Sequence, residues 1–120
     1  MRSKGLKNKN PALRRKALFS LGQRSFKKLA EVLVKDPSPV IRHEAAFLLG
    51  EGKDKRALPV LLQAIKNDAS DLVRHEAIEA LGDLGVMTKE VKLLLLSLKK
   101  DKNPFIRDTA RIALLTMEQI

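Results

Sequence analysis

Pro39-Val-Ile-Arg42-His-Glu-Ala-Ala-Phe-Leu-Leu-Gly50 and Asp71-Leu-Val-Arg74-His-Glu-Ala-Ile-Glu-Ala-Leu-Gly82 are two copies of one pattern. Two more flank them, Pro11-Ala-Leu-Arg14-Arg-Lys-Ala-Leu-Phe-Ser-Leu-Gly22 before and Pro104-Phe-Ile-Arg107-Asp-Thr-Ala-Arg-Ile-Ala-Leu-Leu115 after. The Arg anchors fall 28, 32 and 33 residues apart. Self-similarity at this period marks an array of helical units, each of which covers its apolar face with the next.

Each copy carries helix punctuation. Ser38, Ser70 and Asn103 precede Pro39, Asp71 and Pro104, an N-cap followed by a residue suited to the first turn. Gly22, Gly50 and Gly82 stand where a left-handed cap would end the helix. Ala17, Ala45, Ala77 and Ala110, three residues after each Arg, are small enough for close helix approach, and Leu21, Leu49, Leu81 and Leu114 share their face. Second helices are expected over Phe26–Val34, Ala57–Ile65 and Val91–Leu98, with Pro59 tolerable in a first turn. The last of these is apolar through most of its length and is expected to be the best buried. The fourth copy has no second helix before Ile120.

The pattern of Arg, two variable residues, Ala-x-x-x-Leu-Gly and then Ala-Leu-Pro-x-Leu resembles the HEAT-like repeats also found in phycobilin lyases. The expected fold is all-α, an α-solenoid of about four helical hairpins. Its expected division is a basic extension over 1–10 and one repeat domain over 11–120, with repeats at about 11–37, 38–69, 70–102 and 103–120.

Composition narrows the chemistry. The chain has 120 residues, room for one domain, and no Cys, Trp or Tyr. That excludes disulfide scaffolds, thiolate metal sites and thiol nucleophiles. The longest run of large apolar residues, Leu93–Leu96, is far too short to cross a bilayer. Basic Met1–Asn10 is followed by no apolar h-region, so no secretory signal and no membrane partner are expected, and the cytoplasm is the expected location.

The net charge of +10 is carried by one quarter of the chain. Residues 1–35 hold 11 Lys/Arg against Glu31 alone, and the remaining 13 basic residues are balanced by 13 acidic ones. Arg14, Arg15, Lys16, Lys27 and Lys28 are therefore candidate contacts for an acidic partner, nucleic acid or ribosome included. The four Phe lie in helical patterns that would bury them, so no aromatic platform for single-stranded nucleic acid is expected.

Only two His occur, and they share one repeat position: Arg42-His43-Glu44 and Arg74-His75-Glu76. The equivalent places elsewhere are Arg15-Lys16 and Asp108-Thr109. Stacked helices lie about 8–10 Å apart, close enough for equivalent side chains to lean toward one point. Two imidazoles and a carboxylate form the ligand set of a non-haem Fe(II) centre. His43, His75 and either Glu44 or Glu76 supply it, and nothing in the spacing prefers zinc. A Gly-rich phosphate loop and a nucleophile elbow are both absent.

The order of the repeats resembles one half of deoxyhypusine hydroxylase, a HEAT-like di-iron oxygenase with two His-Glu motifs on the central repeats of each half. The resemblance runs over nearly the whole chain after Asn10. It implies iron held by His43, His75 and Glu76, with Glu44 facing the amine of a modified lysine side chain on a protein. Two motifs rather than four imply a homodimer, whose concave faces would meet across a two-fold axis. Two other readings fit the same residues: a metal-free adaptor that grips a protein partner on its concave face, and a nucleic-acid contact through the basic first repeat.

Overall fold

The computed structural model describes residues 5–22 and 25–118. Seven α-helices occur among them: α1 (Pro11–Leu21), α2 (Phe26–Lys35), α3 (Pro39–Gly52), α4 (Leu58–Asn67), α5 (Asp71–Leu84), α6 (Lys89–Leu98) and α7 (Pro104–Glu118). A single 3-10 turn, Lys55–Ala57, leads into α4 and places Pro59 in its first turn, where a missing N–H costs nothing. The chain is an all-α solenoid. The odd-numbered helices form one layer, in which α3 packs on α5 and α5 on α7; α2, α4 and α6 back them.

The caps explain where the helices begin. Ser38 Oγ accepts from Ile41 N at 3.4 Å, Ser70 Oγ from Val73 N at 3.5 Å, and Asn103 Oδ1 from Phe105 N at 2.8 Å. Each occupies an orphan donor of a first turn. Between the layers lie Leu18, Leu29, Leu33, Leu61, Ile65, Ile78, Leu81, Leu95 and Ile106, all essentially without exposure. Ala45, Ala77 and Ala110 are fully buried in the odd layer.

The helix ends correct the glycine reading. Gly22 does cap α1 at φ 63°, but α3 runs on through Gly50 to Gly52 and is capped by Lys53 in the left-handed region. Helix α5 likewise passes through Gly82 and ends at Gly85. Gly50 has a packing role instead: a Cβ there would stand 2.8 Å from both Cα and Cβ of Ala80. The hydrogen it carries is what lets α3 and α5 touch.

Burial brings two more corrections. Helix α6 buries only Val91, Leu95 and Leu98 and leaves Leu93 and Leu96 exposed, because a helix flanked on one side has only one face to hide. Phe19, Phe47 and Phe105 are exposed, and Phe26 is half-buried. The three exposed rings sit on the outer face of the odd layer, the face that carries both His.

One feature recurs in each of the first three repeats. Arg14 bonds both oxygens of Asp36, Arg42 both of Asp68, and Arg74 both of Asp101. Each Asp also accepts the N–H of the next helix's N-cap residue, Ser38, Ser70 or Asn103. The same guanidinium groups reach main-chain carbonyls: Asn8 and Lys9 for Arg14, Asp36 for Arg42 and Ile65 for Arg74. The anchor Arg therefore ties its own helix to the turn that starts the next one. The Arg74 hydrogen bond holds the Asp101 carboxyl below its ordinary pKa, and Asp101 in turn raises Arg74.

Candidate metal centre

One residue beyond the anchors runs a second series of contacts. The side chain after each anchor Arg meets the side chain two after the next anchor: Arg15 with Glu44, His43 with Glu76, His75 with Thr109. Aligned by sequence, His43 and His75 are equivalent, but the turn from one helix to the next displaces the meeting point by one residue. His43 therefore faces Glu76 rather than His75.

His43 Nε2 lies 3.0 Å from Glu76 Oε1, with Glu76 largely buried. Burial pushes the Glu76 carboxyl above its ordinary pKa, against the pull of His43. The other His43 nitrogen, Nδ1, is buried without a partner.

The orientation of His75 is fixed from behind. Thr109 Oγ1 donates to the Phe105 carbonyl at 2.8 Å, so its one proton is spent. His75 Nδ1, 2.8 Å from that oxygen, must donate to it. In the neutral ring the lone pair is then on Nε2, which points at Glu79 Oε1 at 3.0 Å. The Phe105 ring leans on the imidazole, with centroids 4.6 Å apart.

Glu44 is 6% exposed; its Oε1 accepts from Arg15 Nε at 2.5 Å and its Oε2 has no partner. Sequence reasoning missed Thr109, Glu79 and the Arg15 contact. His75 and Glu79 are four apart on α5, a spacing that signals a shared face. Thr109 and Arg15 left no such signal, since their partners lie in other repeats.

Of the expected site residues, the structure pairs His43 with Glu76 and directs His75 to Glu79. Among the described residues no three His, Cys, Asp or Glu side chains are grouped so as to hold a metal ion. The donor chemistry nonetheless fits a divalent metal. Imidazole nitrogen and carboxylate oxygen are donors that divalent transition metals accept, and His43 Nε2 and Glu76 Oε1 lie side by side at 3.0 Å. A ligating His normally has its second nitrogen fixed by a hydrogen bond, and Thr109 provides this for His75.

The basic candidates separate. Arg14 is buried on Asp36 and is not a surface cation, which corrects its assignment to partner contact. Arg15, Lys16 and Lys27 are exposed and Lys28 half-buried. Arg2, Lys4 and Arg24 of the basic first quarter lie outside the described residues. No helix among the described residues is long and apolar enough to cross a membrane.

Stacked helical hairpins, each closed by the same Arg–Asp tie, define a class, and a family model described as HEAT repeats matches residues 26–115. The chain belongs to the HEAT-repeat family. Among named proteins it is similar to deoxyhypusine hydroxylase of Arabidopsis thaliana, 40% identical over 113 residues that cover 88% of this chain and 34% of that protein. Deoxyhypusine hydroxylase-B of Oryza sativa subsp. japonica is 39% identical over 114 residues, 90% of this chain and 37% of that one. The solved structure of human deoxyhypusine hydroxylase in complex with glycerol superposes with a TM-score of 0.83 at 29% identity, covering 99% of this chain and 42% of that one. The chain thus spans about a third of the length of the curated relatives it matches.

Proposed function

We propose that two copies of this chain form an iron-dependent hydroxylase of the deoxyhypusine hydroxylase kind, acting on a modified, cationic lysine side chain of a protein. The observation that carries this reading is the arrangement of the only two His. Both present Nε2 to a carboxylate on one face, and the His75 ring is locked from behind by Thr109.

In this reading His43, His75 and Glu76 hold the metal, which supplies the oxygen activation that hydroxylation of a C–H bond requires. The reaction places one atom of dioxygen in the C–H bond and releases the other as water, with two electrons from an external reductant. The protein's part is binding and positioning. Glu44 receives the ammonium of the substrate. Val40, Phe47, Leu72 and Phe105, all exposed, surround the site with apolar surface that would exclude water once covered. The same apolar surface supports pairing of two copies, since exposed patches that flank polar sites mark interfaces.

Metal analysis and native mass of the purified protein, beside the His43→Ala/His75→Ala double variant, test the reading. The expected result is a dimer with about one iron per chain, and loss of the iron in the variant. A monomer that stays metal-free after anaerobic iron reconstitution would overturn it and leave a HEAT-repeat adaptor that grips a protein through the exposed apolar face.

A further inference from the structure

Glu44 is bound in a way that sets it apart from the other buried carboxylates. Asp36 and Asp68 are each bridged by Nε and Nη2 of one Arg, so both oxygens are paired. Glu44 is as deeply buried, yet among the described residues it is met only by Arg15 Nε on Oε1, while Oε2 is buried and has no partner among them. Arg15 itself is an open side chain, 57% exposed, with its Cζ 5.1 Å from the centroid of the exposed Phe19 ring. A buried carboxylate that serves structure has no reason to leave an oxygen orphaned.

Register adds a second argument. Arg15 occupies in α1 the place that His43 and His75 occupy in α3 and α5. A guanidinium has no lone pair for a metal and stays charged at any working pH. At this position it can do one thing that the imidazoles do not, which is to present a permanent cation to the carboxylate of the neighbouring helix.

We propose that Arg15 is an internal occupant of a cation site centred on Glu44, displaced when an aliphatic primary ammonium enters. This rests on Glu44 receiving the cationic side chain, as proposed above. The exchange replaces one charge-assisted contact by another, so Glu44 is never left as an unpaired buried charge. The incoming group has an advantage: a compact ammonium with three donors can engage Oε2, which Arg15 leaves without a partner. Arg15, released to solvent, keeps its stacking surface on Phe19. Arg15 thereby sets a threshold for entry, and only ligands that offer more than a monodentate contact pass it.

The test is titration of n-butylammonium into the native protein, Arg15→Gln and Glu44→Gln at mildly alkaline pH, followed by NMR shifts of the Glu44 side chain and its neighbours. A circular dichroism melt serves as the folding control. Removing a half-exposed competitor should tighten binding about two- to fivefold in Arg15→Gln, and Glu44→Gln should show no saturable binding. If Arg15→Gln binds no tighter than the native protein while Glu44→Gln still abolishes binding, Arg15 is no competitor and the cation site of Glu44 stands alone. Binding that survives Glu44→Gln, or none in any variant, removes both ideas. Should Arg15→Gln fail to fold, Arg15→Lys keeps the charge but loses the Nε donor and carries the same test with a smaller gain.

Discussion

Two series of contacts run along the repeats from positions one residue apart in the chain. The first is uniform and lies within each hairpin: Arg14, Arg42 and Arg74 each take both oxygens of an Asp that also accepts the N–H of the next helix's N-cap residue. The second changes at every joint, from Arg15–Glu44 to His43–Glu76 to His75–Thr109. A contact that every repeat needs is the same in every repeat. One that differs each time answers to something other than stacking. On the proposed reading, the scaffold and the chemistry occupy neighbouring positions of the same helices.

The sharpest way to break the uniform series is Arg42→Ala. It strands Asp68, whose side chain is only 8% exposed, and frees the Asp36 carbonyl. A loss of about 3 kcal/mol is expected from urea denaturation. A loss below about 1 kcal/mol would show the series to be no stronger than a surface ion pair.

Next come the glycines, which test whether the joint is as tight as drawn. Gly50→Ala drives a Cβ into Ala80 and should cost about 2 kcal/mol. Gly82→Ala meets nothing within 4 Å and removes only a helix-interior glycine, so it should raise stability by about 0.5–1 kcal/mol. Thermal melts of the two variants that shift in the same direction would contradict this packing.

The variable series predicts smaller effects of opposite sign. Glu76 has a raised pKa, because burial favours its neutral form. The folded state thus holds this proton more tightly than the unfolded chain. The stability linked to Glu76 is fullest below the ordinary carboxylate range and is lost as pH rises through the raised value. Glu76→Gln should stabilise the metal-free protein at neutral pH by about 1 kcal/mol and flatten that part of its pH profile. Destabilisation by this variant would mean that the ionised pair contributes more than its desolvation costs.

Thr109→Val should likewise change stability by about 1 kcal/mol, but free the His75 ring. Iron affinity is expected to fall about tenfold or more, while Thr109→Ser, which keeps the oxygen, retains most of it. Equal affinities in the two variants would assign Thr109 to packing alone.

Much of the uniform series could be read from the sequence. The Arg anchors, the N-caps and the buried Ala recur at one offset, and period alone gave the helix starts and the solenoid. The glycines were misread because Gly50 and Gly82 look like stops in one dimension. Whether a glycine caps or packs depends on what lies across the joint. Phe47 and Phe105 have apolar spacing, yet they lie on the face of the odd layer that no second helix covers. The variable series was half legible: Arg42-His43-Glu44 and Arg74-His75-Glu76 marked the position, but alignment set His beside His. The one-residue displacement between stacked helices, which sets His43 against Glu76, has no trace in the letters.

The uniform series also has a direction. Arg14 finds its carboxylate 22 residues later, Arg42 26 later and Arg74 27 later, always toward the C-terminus. A chain emerging from the ribosome therefore exposes each guanidinium before the Asp that will neutralise it has been made. Because each Asp ends the hairpin that its Arg begins, a hairpin is electrostatically complete by the turn that follows its own second helix, before its successor has begun.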